Sequence, residues 1–193
     1  MSSRVLVLRS PEPSRPPAPV ALPEGYRLDR WRPGPLELAP PGPPSRKHLL
    51  FGVGAHAGLF AGPGYGAILV RRGDAVVHRS SVYPRYFAFP FMGRDDLQVG
   101  ATWTDPAHRG RGLARAALLD ALARCHAEGR RLWYLVEEEN LPSIRAAAAA
   151  GLTVVAHAER RSRLGVHALG GYRIVRWEDD AGVTPPGTAA APG

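Results

Sequence analysis

The sequence predicts an α+β domain, and three observations predict it. A meander of short strand-like runs occupies residues 65–104. Strand-like and helix-like runs then alternate through residue 157. Between the two halves lies a glycine- and arginine-rich turn, His108-Arg109-Gly110-Arg111-Gly112-Leu113-Ala114. Strands first and strand–helix alternation after them is an α+β order. A chain of 193 residues suits one domain with a single sizeable core, and 45% hydrophobic with 22% charged residues is ordinary for a globular protein.

Taken in order, residues 1–44 hold twelve of the twenty prolines, which forbids regular helix or central strand over most of that length. Two islands escape. Val5-Leu6-Val7-Leu8 reads as a short edge strand, and Tyr26 to Trp31 alternates as a half-buried strand does. Ser10 to Pro23 reads as an extended linker. Ser45 starts a helix candidate reaching Phe60, weakened by Gly52, Gly54 and Gly58. Tyr65–Arg71 and Ala75–Tyr83 are strands joined by the hairpin turn Arg72-Gly73-Asp74. Leu97–Thr104 is a strand, Gly112–Glu128 a helix stopped by Gly129, and Leu132–Glu137 another strand. In that strand Trp133 and Leu135 take one face, Tyr134 and Val136 the other. A short alanine helix over 141–150, with proline in its first turn, precedes strands Leu152–His157 and Tyr172–Trp177. The expected organisation is a proline-rich, partly extended segment over 1–24, one domain over 25–178, and a disordered tail over 179–193.

The glycine-rich turn is where the chemistry concentrates. A turn between a strand and a helix leaves backbone N–H groups unpaired at the positive end of the helix dipole, which suits a pyrophosphate. Glycines 110 and 112 permit positive φ or close approach of an anion, and Ala114 keeps the first helical turn thin. Arg109 and Arg111 add positive charge. Read by itself, the loop is equally an ordinary basic turn capped by glycines.

Two further features bear on that choice. The loop fits Arg/Gln-x-x-Gly-x-Gly/Ala as Arg109-x-x-Gly112-x-Ala114, preceded by Thr104-Asp105-Pro106. Some thirty residues on stands Val136-Glu137-Glu138-Glu139-Asn140-Leu141-Pro142-Ser143-Ile144-Arg145, closed by Gly151-Leu152. In this order and spacing the two segments resemble the coenzyme A signature and the following strand–helix segment of the GNAT N-acetyltransferases, over roughly residues 65–160. The resemblance implies a strongly twisted mixed sheet flanked by helices, with acetyl-CoA as co-substrate, no metal, and direct transfer of the acetyl group to a primary amine. It implies a cofactor cleft where the strand ending at Thr104 splays from the strand ending at Glu137. The pantetheine arm then pairs with backbone at Thr102, Trp103 and Thr104. The pyrophosphate meets the N–H groups of Arg109, Gly110, Arg111, Gly112, Leu113 and Ala114. Asn140 matches the family's recurrent asparagine and helps hold the cofactor or its water. Glu137, Glu138 and Glu139 then lie at the mouth of the cleft, and if the strand persists Glu138 shares a face with Asn140 by period two, which makes it the candidate base; a solvated acidic strand end, with a base in the sheet interior or a water chain instead, is the alternative. The chain departs from the family where a tyrosine seven residues after the asparagine protonates the leaving thiolate: that position is Ala147. Tyr134 or Tyr172 reaching in, or water, is then the proton source.

The acceptor expected from these residues is a small-molecule amine, with a protein amine as a second class. The runner-up function is a module of the same fold that binds acyl-CoA without turnover. Tyr83, Tyr86, Phe87, Phe89 and Phe91 crowd one inter-strand loop, either lining a substrate cleft or partner surface or folding back as a satellite core. The net charge of +8 raises nucleic acid as a ligand. Against it, the charge is almost all arginine, with Lys47 the single lysine, in a chain rich in other residues with GC-rich codons. No basic stretch interleaves with aromatics. His48, His56 and His78 lack metal-ligand spacing, and Cys125 reads as a buried structural thiol. No apolar run reaches transmembrane length and no signal-like segment opens the chain, so a cytoplasmic protein without a membrane partner is expected. A homodimer is an expectation of the family resemblance alone.

Overall fold

The computed structural model describes residues 4–12, 21–163 and 166–178. The expected tail over 179–193 and most of the linker lie outside them. Among the described residues the strands are β1 (Arg4–Arg9), β2 (Tyr26–Trp31), β3 (Gly66–Arg72), β4 (Ala75–Pro84), β5 (Leu97–Thr104), β6 (Leu132–Glu137), β7 (Thr153–Arg163) and β8 (Val166–Trp177). They form one sheet in the order β2-β3-β4-β5-β6-β1-β7-β8. Every neighbouring pair is antiparallel except β5–β6, which is parallel. The helices are α1 (Arg46–His56), α2 (Leu113–Ala127) and α3 (Leu141–Ala149). This is the mixed α+β architecture read from the sequence.

The sheet buries both faces. On one, α2 lays Ala117, Leu118, Ala121, Leu122 and Cys125 against Val99, Leu132, Tyr134 and Val136. Its small residues bring the helix backbone close, and Cys125 is fully buried, with burial pushing its thiol up to about 12. On the other, Phe89, Phe91 and Met92 pack with Val7, Trp133 and Val155. The crowded aromatic loop therefore folds back as a satellite core, although Phe87 stays exposed. The alternation read in β6 holds, since Tyr134 and Val136 belong to the first layer and Trp133 and Leu135 to the second. Asp120 of α2, nearly buried, is clamped by Arg30 of β2 through Nε at 3.0 Å and through a second, shorter bond from Nη2. That clamp ties helix to sheet and leaves the Asp120 carboxylate paired.

Three expectations are corrected. Val5–Leu8 is no edge strand: β1 lies between β6 and β7, pairing antiparallel with both. Its unbroken apolar run is the pattern of a strand buried on two faces, and prolines elsewhere in the segment do not reach it. The last two strands are longer than read, Thr153–Arg163 and Val166–Trp177. Their polar ends are held by pairing with each other, a tertiary gain that local propensity does not report. The helix beginning after Ser45 ends at His56, short of Phe60.

The central placement of β1 has a measurable consequence. Leu8 is 1% exposed, so Leu8→Ala should cost about 2–5 kcal/mol in urea unfolding. An edge position would lose well under that.

Candidate functional site

The turn after β5 is built by local rules. Asp105 caps a single 3-10 turn (Pro106–His108), its Oδ1 accepting from the Ala107 N–H at 2.8 Å. Gly110 and Gly112 then take φ of 73° and 74°, and a side chain at either would meet nothing within 4 Å. Positive φ, rather than crowding, is what these two glycines supply. Gly112 is the N-cap of α2 with no side-chain cap, and the first turn carries no acidic residue. The helix thus presents unpaired N–H groups and an unneutralised dipole to open space. Arg109 folds back to donate from Nε to the Thr104 carbonyl at 3.3 Å, and Arg111 is exposed. Leu113 instead turns inward, 2% exposed, beneath Val70 and Val77.

Beside the turn the sheet opens. β5 pairs with β6 only through Leu97–Leu132, Gln98–Trp133 and Val99–Tyr134. Beyond Val99 it stays bonded to β4 alone, with a register slip between Arg79 and Ser81. Ala101 at this point has φ 47°, a left-handed conformation uncommon for a residue with a Cβ. The edge of β5 from Gly100 to Thr104 that would face β6 is therefore free of it. The cleft so formed, about 220 Å3, is lined by Gly100, Ala101 and Thr102 on one side and by Tyr134–Glu137, Asn140 and Ser143 on the other. Val5, Arg160 and Tyr172 complete it. Burial raises the Tyr172 phenol, with Glu137 adding to the shift and Arg160 opposing it.

The structure ties the loop 109–114 to the free edge through Arg109 and the Thr104 carbonyl, and sets Thr102 and Asn140 in one cleft. Asn140 is also the N-cap of α3, accepting from the Ser143 N–H at 3.3 Å, and Pro142 follows in the first turn. Glu138 is not among the cleft's lining residues. β6 ends at Glu137 and a turn follows, so the period-two alternation linking Glu138 to Asn140 does not apply. Its carboxylate instead accepts from His157 Nδ1 at 2.9 Å, in a separate depression with Arg4 and Arg176. Glu137 is the carboxylate that lines the cleft. Ala147, where the family resemblance expects a tyrosine, is fully buried in the core beneath α3. Tyr134 and Tyr172 both line the cleft. The sequence reading set Glu137 at the mouth of the cleft but preferred Glu138, and it missed Ser143 and Arg160; continuing the alternation of β7 past His157 would have found Arg160.

A buried hydroxyl–imidazole chain underlies the free edge. His78 Nδ1 meets Thr104 Oγ1 at 2.7 Å, its Nε2 meets Ser80 Oγ at 2.9 Å, and Ser80 Oγ lies 3.2 Å from Thr102 Oγ1. His78 is wholly buried, which lowers its pKa to about 4. His48, bonded to Ser81 through Nε2 at 2.9 Å, is likewise lowered to about 4, by burial first and Arg79 second.

The model of the acetyltransferase (GNAT) family matches residues 36–152. No curated protein matches the sequence. Among solved structures, the chain is similar to a GCN5-related N-acetyltransferase from Sphaerobacter thermophilus, at 18% identity and TM-score 0.56, covering 81% of this chain and 50% of that one. It is similar also to a GCN5-related N-acetyltransferase-like protein from Streptococcus suis, at 17% identity and TM-score 0.52, covering 80% and 60%. A third is a GNAT-family acetyltransferase from Colwellia psychrerythraea, at 16% identity and TM-score 0.53, covering 81% and 54%. These likenesses are of fold, and the chain spans 50–60% of the length of the three structures.

Two outcomes follow from the buried groups. Because His48 and His78 are held neutral, with folded pKa values below the unfolded ~6.5, their stabilisation is present above pH 6.5. It is lost as pH falls from there towards about 4. At about 1.4 kcal/mol per pKa unit each is worth roughly 3 kcal/mol. Thermal unfolding should show Tm falling between pH 7 and pH 5, with a shallower slope in His78→Gln. Ala147→Tyr should overpack the core and cost about 1–3 kcal/mol in urea unfolding.

Proposed function

Because the chain belongs to the GNAT family of acetyltransferases, we propose that it transfers an acetyl group from acetyl-CoA directly to a primary amine of a small molecule. The observation that carries this reading is the free edge of β5 followed by a turn whose glycines hold positive φ and lead into a helix N-terminus with no side-chain cap. A pantetheine arm has amides and carbonyls to pair with at Thr102, Trp103 and Thr104, and a pyrophosphate has the N–H groups of Gly110–Ala114. Arg111 is available for phosphate oxygens, while Arg109 braces the Thr104 carbonyl. The donor set is amide and guanidinium throughout, which fits a polyanionic coenzyme.

When bound, acetyl-CoA supplies a thioester carbonyl open to attack by an amine. Backbone N–H groups at the bulged edge of β5 are fixed donors for the oxygen that gains charge. Glu137 sits at the mouth of the cleft as a carboxylate able to draw a proton from an arriving ammonium, directly or through water. Glu138, engaged with His157, has the lesser claim to that role. Asn140 spends its Oδ1 on the α3 cap and keeps its amide N–H donors for the cleft. Tyr134 and Tyr172 offer phenol protons where Ala147 offers none, and a leaving thiol of ordinary pKa near ~8.5 asks little of them at neutral pH.

Calorimetric titration with acetyl-CoA, coenzyme A and a longer acyl-CoA tests the cofactor half of the reading. Gly112→Asn and Gly112→Asp both tolerate a left-handed φ, but only the second sets a carboxylate against the pyrophosphate. Acetyl-CoA should bind the intact protein and Gly112→Asn, and weaken roughly tenfold or more in Gly112→Asp. Binding by none of the three ligands would overturn the reading. Release of free thiol with an amine panel separates an enzyme from a module that binds acyl-CoA without turnover.

A further inference from the structure

We infer that the acceptor is an amine that also carries a carboxylate, the chemical class of the free amino acids, with Arg160 holding the carboxylate and Glu137 facing the amine. This rests on the acetyl-transfer reading and names the substrate of that same site. Among the described lining residues of the cleft, Arg160 is the one cation and Glu137 the one carboxylate. Neither makes an ion pair or side-chain hydrogen bond with another described residue, whereas Glu138 is satisfied by His157. Two opposite charges that line one cleft without pairing with each other offer complementary ends to a ligand of matching charges.

Strand register fixes their disposition. Glu137 pairs with Val5 of β1, and Val5 pairs with Ala158 of β7. Directly paired residues and residues two apart on one strand share a face, so Glu137, Val5, Ala158 and Arg160 lie on one face of the sheet, and Glu137, Val5 and Arg160 of them line the cleft. Arg160 pairs in turn with Tyr172 of β8, whose phenol also lines it. With strands about 4.8 Å apart and a rise of about 3.3 Å per residue, the two charged residues are separated by roughly 12 Å at Cα. Val5 stands between their strands. That leaves a gap for a short ligand and prevents a direct ion pair. A guanidinium fork suits a carboxylate better than any other group in the cleft. The amine end then lies near Glu137, across the cleft from Gly100 and Ala101. On reaction an N–C bond forms as the thioester C–S bond breaks; one amine proton passes to water by way of Glu137 and a second ends on the sulfur.

The test measures thiol release by the full chain with acetyl-CoA and a graded panel: glycine, β-alanine, γ-aminobutyrate, glycinamide and ethylamine. The best carboxylate-bearing acceptor should exceed glycinamide and ethylamine roughly tenfold or more in kcat/KM, the worth of a charge-assisted hydrogen-bonded pair. The chain length that wins reports the gap between the charges. Arg160→Gln should reduce that preference to about unity through KM, and Arg160→Lys should restore part of it. Equal turnover with and without the carboxylate, or a preference unchanged in Arg160→Gln, overturns the assignment while leaving acetyl transfer standing. Absence of thiol release with every acceptor of the panel, although acetyl-CoA binds, overturns the acetyl-transfer reading and this assignment together.

Discussion

Pairing between β5 and β6 stops after three residues, and every other part of the site depends on that interruption. A parallel pair that continued would consume the backbone groups at Thr102–Thr104 and close the cleft. Both strands are instead held from their outer sides. β4 pairs with β5 as far as Thr104, and β1 pairs with β6 along Val5–Arg9. Each is anchored where it is not needed and free where it is. The left-handed Ala101 and the slipped register opposite it bend β5 away from its parallel neighbour. Such a conformation costs of order 1 kcal/mol and persists because the surrounding pairs overdetermine it.

The buried polar groups serve the same strand. His78 lies beneath β5 and spans from Thr104 to Ser80, and Ser80 reaches Thr102. Hydroxyls on both sides of a neutral ring let either tautomer be satisfied, so the imidazole is held without charge. One strand residue further, Arg79 donates from Nη1 to the carbonyls of Pro43 at 3.0 Å and Pro41 at 3.3 Å. Prolines forgo sheet and helix bonding, yet their carbonyls still need donors when covered. A single buried guanidinium supplies them, and burial lowers its pKa. The proline-rich approach to α1 is thereby fastened to the back of β4.

Much of this was legible in the sequence, for physical reasons that differ by element. The loop at 109–114 was readable because positive φ at two positions and a bare helix start demand glycine. The strands of the meander were readable because apolar, β-branched runs flank the tight turn Arg72-Gly73-Asp74, and the α3 start because Asn140 and Pro142 suit its first turn. Less legible was what depends on pairing across the chain. Val5–Leu8 carries the apolar run of a central strand, but nothing local says that it inserts between β6 and β7. Glu137 and Glu138 are neighbours of the same type, and only the end of β6 sends one to the cleft and the other to His157. Arg160 lies in the run Glu159-Arg160-Arg161, which reads as a solvated strand end until its partner Tyr172 is known.

The inserted strand also sets the width of the cleft's far end. Were β6 and β7 direct neighbours, Glu137 and Arg160 would stand one strand spacing closer, about 4.8 Å. Side chains as long as these would then meet as an ion pair. Val5, a short apolar residue between Glu137 and Ala158, keeps them apart and contributes no competing partner. The spacing of the two charges, and with it the size of ligand they can bridge, is thus determined by a strand more than a hundred residues away in sequence from both. Core packing and acceptor recognition share that strand: Leu8 and Val7 fill the two layers at one end, and Val5 spaces the charged pair at the other.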